Sequence, residues 1–249
     1  MKLADLLNEI ENISQVKGLS RPFIVGGIPR DKILGRQNKF EDVDITTGDD
    51  GVSHLAKEVA IKLNEYVTGY AVMADGHARV KFGDLKIDFS SNFMIPGIGY
   101  LLRKINIVDT DSMEKEIYSR DFTCNTLLMT LDLKTIKDPT GQALSDIDSR
   151  LIKTCLPPKL TLGYDHNRII RAVYLAAKLD FNLDPEMIEW IKSKPEAIKT
   201  VSKDYIGKKL YKAMSVNRAK TLKLLKDLEL WDLLPEDFLA LQKAVEKVL

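Results

Sequence analysis

Two groups of residues near the amino terminus have the types and spacing to hold a nucleotide and a divalent cation. Gly26 and Gly27 follow an apolar stretch and precede Pro29, which favours the start of a helix. Glycines let a backbone turn approach phosphate, and the helix that follows would direct N–H groups at the anion. Asp42 and Asp44 lie two residues apart in a stretch typical of a strand, so both side chains emerge on one face. Paired carboxylates are hard oxygen ligands that suit Mg²⁺.

Each group also has an ordinary explanation without chemistry. A glycine pair before a helix often makes only a turn, and two alternating acids are often simply solvated. Their proximity in the chain favours one site, because Arg30 would then stand in the first turn of the helix, beside the phosphates. A salt bridge from Arg30 to Asp31, or to a carboxylate of the sheet, is the alternative.

Whole-chain properties predict a cytoplasmic protein without a membrane partner. The chain has 249 residues, of which 45% are hydrophobic and 29% charged, enough for a core and one or two domains. No apolar run reaches the length of a membrane span, and the first residues form an acidic amphipathic helix rather than a signal peptide. Cys124 and Cys155 are too few for a disulfide framework, so we expect both to be reduced and structural. Three scattered histidines argue against a zinc site.

The net charge of +1 hides an uneven distribution. Residues 1–150 hold 19 basic and 23 acidic residues, whereas residues 151–249 hold 18 basic and 13 acidic ones. Within 192–226 there are 11 basic residues against two acids, Glu196 and Asp204. Such a stretch is typical of a surface that contacts a phosphate backbone, although an ordinary solvated helix face is an equal alternative.

The apolar pattern divides the chain at about the same place, which predicts an α+β domain at 1–150 and an all-α part at 151–249. A hairpin through Gly83 and Asp84 is predicted to carry Asp88 on its second strand. The predicted strands are 23–25, 43–46, 66–72, 77–82 and 85–89. The predicted helices are a short one from Pro29 and those at 52–63, 165–179, 185–193, 203–214, 216–228 and 236–248.

Four ordered motifs resemble the bacterial-type (class II) tRNA nucleotidyltransferase and poly(A) polymerase family, over about residues 20–185. They are GGIPRD followed by DVDITT, SRDFTCN at 119–125, DPTGQALSDIDSRLIK at 138–153, and YDHNRIIRAVYLAAKLDF at 164–181. The resemblance implies a head of the DNA polymerase β type with a mixed sheet, then a helical neck and a short helical extension that binds RNA. It also implies template-independent addition of CMP, AMP or both to the 3′ end of tRNA, from CTP and ATP with Mg²⁺.

The resemblance assigns the catalytic roles to the head. Asp42 and Asp44 would hold magnesium, while the Gly26–Gly27 turn and Arg30 would cradle the triphosphate. Asp88 is the expected third carboxylate, which can complete the metal cage or orient the 3′-oxygen. A surface acid on a hairpin is the alternative for Asp88.

Arg120 and Asp121 are expected at the start of a helix that continues through Leu128. The resemblance implies that Arg120 reaches the triphosphate or ribose and that Asp121 accepts a ribose hydroxyl. An acid at this position would also suit a helix dipole without any function. The family often has a second arginine where this chain has Ser119.

Asp165, Arg168 and Arg171 are spaced by threes, so adjacent members share a helix face. By resemblance this helix chooses the nucleotide, because a carboxylate beside a guanidinium matches the Watson–Crick edge of cytosine or adenine. A helix cap plus one salt bridge is the alternative. Tyr164 and Tyr174 stand where the family commonly has glutamate and arginine.

Several alternatives for the whole protein stay open. Family members usually continue beyond the neck into regions that grip tRNA, whereas this sequence ends at Leu249. The sequence would fit a minimal enzyme or a homodimer. It would also fit addition of only C, addition of only A, or poly(A) synthesis on another RNA. From another class, a non-catalytic RNA-binding or nucleotide-sensing protein would keep the same scaffold.

Overall fold

A computed structural model describes residues 1–36, 41–73, 76–91, 95–235 and 238. Its internal contacts divide the chain into two compact units, Met1–Ile147 and Asp148–Leu249.

The first unit contains a mixed sheet, and the strand pairs that the structure describes are antiparallel except for one parallel pair, β2 with β5. In the described residues this sheet has seven strands in the order β3-β4-β5-β2-β1-β6-β7. The elements in chain order are α1 (Leu3–Val16), β1 (Phe23–Val25), α2 (Gly27–Ile33), β2 (Asp42–Thr46), α3 (Gly51–Lys62), β3 (Gly69–Val72), β4 (Ala78–Phe82), β5 (Leu85–Phe89), α4 (Ile98–Lys104), α5 (Ser112–Tyr118), a 3₁₀ turn (Thr123–Asn125), β6 (Leu128–Met129), β7 (Ile136–Lys137) and α6 (Ala143–Asp148).

Alternation along the strands gives the sheet one apolar face. Val43 and Ile45 of β2 are buried on that face, as are Ile87 and Phe89 of β5. Helices α1 and α3 cover them and complete a core to which α3 contributes its predicted apolar stripe. The opposite face of the same strands carries the charged side chains.

A second, smaller core lies on the charged side of the sheet. Phe23 and Val25 of β1 pack there with Leu128 of β6 and Ile117 of α5. Because Val25 pairs with Asp44 across β1 and β2, this packing holds α5 on the side of the sheet that carries the acids.

The second unit is mainly helical, and α8 packs along α10. Asp180 ends α8 in a left-handed conformation (φ 60°), after which the chain pairs with residues 151–152 as a short parallel ribbon. Its elements are β8 (Leu151–Ile152), α7 (Pro158–Tyr164), α8 (Asn167–Leu179), β9 (Asn182–Leu183), α9 (Pro185–Ser193), a 3₁₀ helix (Pro195–Thr200), α10 (Lys203–Asp227) and a 3₁₀ turn (Trp231–Leu233).

The structure corrects three sequence predictions. The part predicted as all-α, residues 151–249, is not helical throughout, since β8 and β9 form a short ribbon within it. The two helices predicted at 203–214 and 216–228 form one element, α10, with a kink at Asn217 (φ −150°, ψ 85°). Arg120 and Asp121 do not begin a helix, because α5 ends at Tyr118 and Phe122 is extended. Apart from Phe238, the helix predicted at 236–248 lies outside the described residues.

Among the helices that the structure describes, none combines the length and apolar character that crossing a membrane requires.

Packing of α3 against the sheet generates a stability prediction. Leu55 is fully buried, whereas Ile61 on the same helix is 57% exposed. We expect Leu55→Ala to lower the free energy of unfolding by about 2–5 kcal/mol, because it leaves a cavity in the core. Ile61→Ala is the matched control and should change it by less than about 0.5 kcal/mol in the same urea titration. Equal losses in the two variants would contradict the assigned core.

Candidate active site

The two acids of β2 lie on one face, beside the glycine turn. Asp42 and Asp44 are accessible in part, while Val43 between them is buried on the other face, as the sequence predicts. A Cβ placed on Gly26 would lie 3.0 Å from Oδ2 of Asp44. The side of the turn on which Gly26 lacks a Cβ therefore faces a carboxylate.

Gly26 has a positive φ (φ 76°, ψ −126°), a backbone conformation that favours glycine. Helix α2 begins at Gly27, two residues before the predicted start at Pro29. Proline is tolerated there because N–H groups in the first turn have no intrahelical acceptor.

Arg30 is buried and ion-paired within its own helix. Its Nη2 lies 2.7 Å from Oδ1 of Asp31, and its Nε donates to the same oxygen. Its Nη1 donates to Oδ1 of Asn125 at 2.6 Å. The salt bridge left open as the alternative for Arg30 is therefore present, and the role of Arg30 toward phosphate stays a prediction.

Asn125 links Arg30 to Asp121. The amide of Asn125 donates to Oδ1 of Asp121 at 3.0 Å, and the backbone N–H of Phe122 donates to the same oxygen at 2.8 Å. A buried polar network therefore connects α2 to the loop that follows α5.

Arg120 forms a buried ion pair with Glu116, one helical turn earlier. The Nη2–Oε1 distance is 2.7 Å, and both side chains are almost completely shielded from solvent. Burial opposes the charged form of Arg120, but the carboxylates of Glu116, Asp44 and Asp121 outweigh it and raise the pKa of Arg120. Glu116 is not among the residues predicted from the sequence, although its i, i+4 spacing from Arg120 is a usable signal.

Asp88 lies beside Asp44 and is held by an arginine. In the sheet register Asp44 is opposite Asp88, which in turn is opposite Arg79 of β4. Arg79 donates to both oxygens of Asp88, at 2.6 and 2.7 Å. This hydrogen bonding outweighs burial and, with the charges of Asp88, Asp42 and Asp44, raises the pKa of Arg79. Arg79 is not among the residues predicted from the sequence. Its position between buried Ala78 and Val80 nevertheless indicates that it lies on the charged face of the sheet.

The donor set suits a magnesium ion that is shared with a substrate. Mg²⁺ usually binds one or two carboxylates and fills its remaining positions with water and phosphate oxygens. Asp42 and Asp44 meet that requirement, whereas both oxygens of Asp88 accept hydrogen bonds from Arg79. Over the described residues, no group of three or more His, Cys, Asp or Glu side chains is arranged to enclose a metal.

In the second unit, Asp165 and Arg168 are neighbours as predicted. Asp165 lies between α7 and α8, where its Oδ1 accepts the N–H of Asn167 at 3.0 Å. Its Oδ2 lies 3.7 Å from Nε of Arg168, which is buried. Arg171 follows one turn later and is half-buried. The helix-end hydrogen bond and salt bridge of the alternative are thus present, and the role of all three residues in nucleotide choice stays a prediction.

A lysine of α10 lies over the tyrosine that stands where the family commonly has an arginine. Nζ of Lys209 is 5.4 Å from the ring centroid of Tyr174 and 5.5 Å from that of Tyr205. A positive charge from another helix is therefore present close to that position on α8. The sequence carried no signal for this contact.

The cysteines are buried and neither forms a disulfide. Burial raises the pKa of the Cys124 thiol to about 12, so this thiol stays protonated at neutral pH.

Comparison with known proteins places this geometry in a family. Residues 22–153 match the poly A polymerase head domain. The chain belongs to that family. It is 27% identical to the tRNA nucleotidyltransferase cca2 of Schizosaccharomyces pombe, over 88% of this chain and 49% of the relative.

Solved structures agree on the fold. A tRNA nucleotidyltransferase complexed with a primer tRNA and an incoming ATP analogue has a TM-score of 0.69 and 25% identity, over 90% of this chain and 61% of that one. The CCA-adding enzyme of Bacillus stearothermophilus in complex with CTP has a TM-score of 0.73 and 24% identity, over 94% of this chain and 55% of that one. The predicted nucleotidyltransferase head and helical neck are confirmed at the level of fold. The chain spans about half the length of the S. pombe relative.

The contact between Gly26 and Asp44 generates a prediction. We expect Gly26→Ala to lower the free energy of unfolding by about 1–3 kcal/mol through backbone strain, and further through crowding of the Asp44 carboxylate. The measurement is urea unfolding of Gly26→Ala in the wild-type and Asp44→Ala backgrounds. The backbone strain is the same in both, but only the wild-type background has the contact between the added Cβ and the Asp44 carboxylate. The loss should be smaller in the Asp44→Ala background.

Gly83 provides the control, since it also has positive φ but no atom within 4 Å of an added Cβ. Gly83→Ala should cost about 1 kcal/mol in both backgrounds. If Gly26→Ala were equally costly in both, the carboxylate would not crowd the turn.

Proposed function

We propose that this chain is a template-independent RNA nucleotidyltransferase that adds CMP, AMP or both to the 3′ end of tRNA. The observation that carries the proposal is the placement of Asp42 and Asp44 on one face of β2, with Asp44 against the Gly26 turn. Membership of the poly A polymerase head family supports it, as do the named substrates of the similar proteins.

In this proposal the 3′-hydroxyl of the RNA attacks the α-phosphorus of the nucleotide, and pyrophosphate leaves. Asp42 and Asp44 would hold Mg²⁺, which when bound lowers the pKa of the attacking hydroxyl and offsets the charge of the triphosphate. The Gly26 turn has no side chain on the side that faces Asp44, so its backbone can lie directly against this carboxylate. Arg120, whose charge acts on Asp44, adds positive potential beside the phosphates.

Arg30 and Asp121 are proposed to support the bound nucleotide through the network that joins them. Asn125 contacts both residues, so a shift of α2 would also displace the loop after α5. The Asp121 carboxylate is oriented by two donors, and a ribose hydroxyl would add a third. This arrangement would favour ribonucleotides over deoxyribonucleotides.

Base selection is proposed for Asp165, Arg168 and Arg171 of the second unit. A carboxylate acceptor beside a guanidinium donor complements the amino group and ring nitrogen of cytosine and adenine. Uracil and guanine would bring a carbonyl against the carboxylate and leave buried polar groups unmatched. The ion pair between Asp165 and Arg168 keeps the acceptor and donor side by side.

The basic surface of the second unit is proposed to contact the RNA backbone. Lys203, Lys208 and Lys212 are exposed along α10, and the exposed ring of Tyr211 lies among them. Lysines steer and neutralise phosphates, and an exposed aromatic ring offers a stacking surface for an unpaired base. We accordingly assign residues 1–150 to catalysis and residues 151–249 to the neck and RNA contacts.

The decisive experiment offers tRNAs that end before, within and after CCA, each with single nucleoside triphosphates and Mg²⁺, and sequences the 3′ termini. We expect wild-type protein to extend incomplete ends, and Asp42→Ala and Asp44→Ala to lose at least about a hundredfold in rate, because each removes a metal ligand. Asp84→Ala, an exposed acid in the hairpin turn, is the matched control and should retain full activity.

Extension of no RNA by the wild-type protein would remove the proposed function. Binding of nucleotide or RNA without pyrophosphate release would instead favour a non-catalytic binding protein. Near-normal rates in both aspartate variants would eliminate the assigned metal site.

Asp165→Asn should change which nucleotide is used. Asparagine can still accept the N–H of Asn167 through its amide oxygen. Its amide nitrogen, however, is a donor where the carboxylate would accept a hydrogen bond from the amino group of the base. We expect the ratio of kcat/KM for CTP over UTP to fall on the order of a hundredfold. Asp184→Asn is the matched control, because Asp184 accepts the N–H of Glu186 at the start of α9 with the same 3.0 Å distance. An unchanged ratio in Asp165→Asn would exclude this residue from base selection.

A further inference from the structure

The charged face of the sheet carries its own counter-ions. On β2, β5 and β4 three acids (Asp42, Asp44, Asp88) share this face with three bases (Lys86, Arg79, Lys81). Two rows run across the strands, Asp44–Asp88–Arg79 and Asp42–Lys86–Lys81. The carboxylates proposed to bind metal are therefore adjacent to fixed positive charges.

The strongest of these contacts is the fork between Arg79 and Asp88. Both nitrogens that face Asp88 donate to it, at 2.6 and 2.7 Å, and the two side chains are only 36% and 29% exposed. Bidentate guanidinium–carboxylate pairs are among the stronger polar contacts in proteins. A metal ion at Asp88 would lie against the Arg79 guanidinium and compete with it for the same two oxygens.

Lys86 has a similar relation to Asp42. Its Nζ lies 3.3 Å from Oδ1 of Asp42, although this pair is more exposed than the Arg79 pair. A divalent ion that binds Asp42 would lie next to the positive charge of Lys86. The positive charge of Arg79 would be in the neighbouring row. Both charges oppose the ion through Coulomb repulsion.

We propose that Arg79 and Lys86 are positioning residues that neutralise this carboxylate face, so that Asp42 and Asp44 hold a divalent ion firmly only together with a nucleoside triphosphate. The inference rests on the proposed function, since it concerns the same metal site. In this proposal Arg79 determines the order in which the divalent ion and the nucleotide bind, and its pairing with Asp88 keeps that carboxylate outside the metal's coordination shell.

The physical reason is charge balance. A divalent ion alone adds two positive charges beside Arg79 and Lys86, whereas a triphosphate brings negative charges that offset the ion and both side chains. Metal and nucleotide should therefore bind cooperatively, and by thermodynamic linkage each strengthens the other by the same factor.

The test measures Mn²⁺ affinity of the full chain by electron paramagnetic resonance, at constant ionic strength, without nucleotide and with a non-hydrolysable CTP analogue. We expect Arg79→Gln to tighten Mn²⁺ binding without nucleotide on the order of tenfold, because it removes a repelling charge. We expect the enhancement of Mn²⁺ affinity by the analogue to shrink by a similar factor.

Lys86→Gln should shift both quantities in the same direction, and it tests the proposal on a more exposed residue if Arg79→Gln fails to fold. Lys81→Gln is the matched control, since Lys81 lies on the same strand face as Arg79 but is exposed, and Lys86 lies between it and Asp42. It should change Mn²⁺ affinity by no more than about twofold because solvent screens the longer interaction.

Asp42→Asn separates failure of this inference from failure of the site. If Asp42→Asn weakens Mn²⁺ binding while Arg79→Gln and Lys86→Gln leave it unchanged, the counter-ion proposal is wrong and the metal site stands. If Asp42→Asn has no effect on Mn²⁺ affinity, the proposed metal site itself is wrong.

Discussion

The pairing of β2 with β1 on one side and β5 on the other is the constraint on which the rest of the head depends. It sets Asp44 against the Gly26 turn and, in the same row, beside Asp88. The same two strands bury Val43 and Ile45 in the main core. Packing on one face therefore fixes the geometry of the charged face, because alternate residues of a strand cannot move independently.

Polar networks extend this order beyond the sheet. The second core holds α5 on the charged side, where Glu116 fixes Arg120. Arg30 and Asp121 belong to different sequence motifs but are joined through Asn125, so they form one buried hydrogen-bonded group. In such a setting a charged side chain is oriented by its neighbours before any ligand arrives, which lowers the entropy cost of binding.

Local pattern predicted the parts of this molecule that depend on short-range periodicity. The shared face of Asp42 and Asp44, the hairpin through Gly83 and helix Pro185–Ser193 all follow from alternation, turn residues and helix caps. The partners Arg79 and Lys209 could not be found in that way, because they depend on strand register and helix packing between distant parts of the chain. The prediction for the loop after α5 was wrong for a related reason. Cys124, Leu127 and Leu128 are spaced as in a helix, but tertiary burial and the hydrogen bond that Arg30 donates to Asn125 stabilise a short 3₁₀ turn instead.

The parallel pairing of β2 with β5 constrains how the protein folds. Asp44 and Asp88 pair across β2 and β5, although α3, β3 and β4 separate the two strands in the sequence. Contacts between distant residues form slowly, because closing a long loop costs entropy before the contact stabilises it. A chain arrested early in folding, with the β4–β5 hairpin formed but β2 and β5 still unpaired, would have most of its secondary structure. It would lack the row of carboxylates that these two strands bring together.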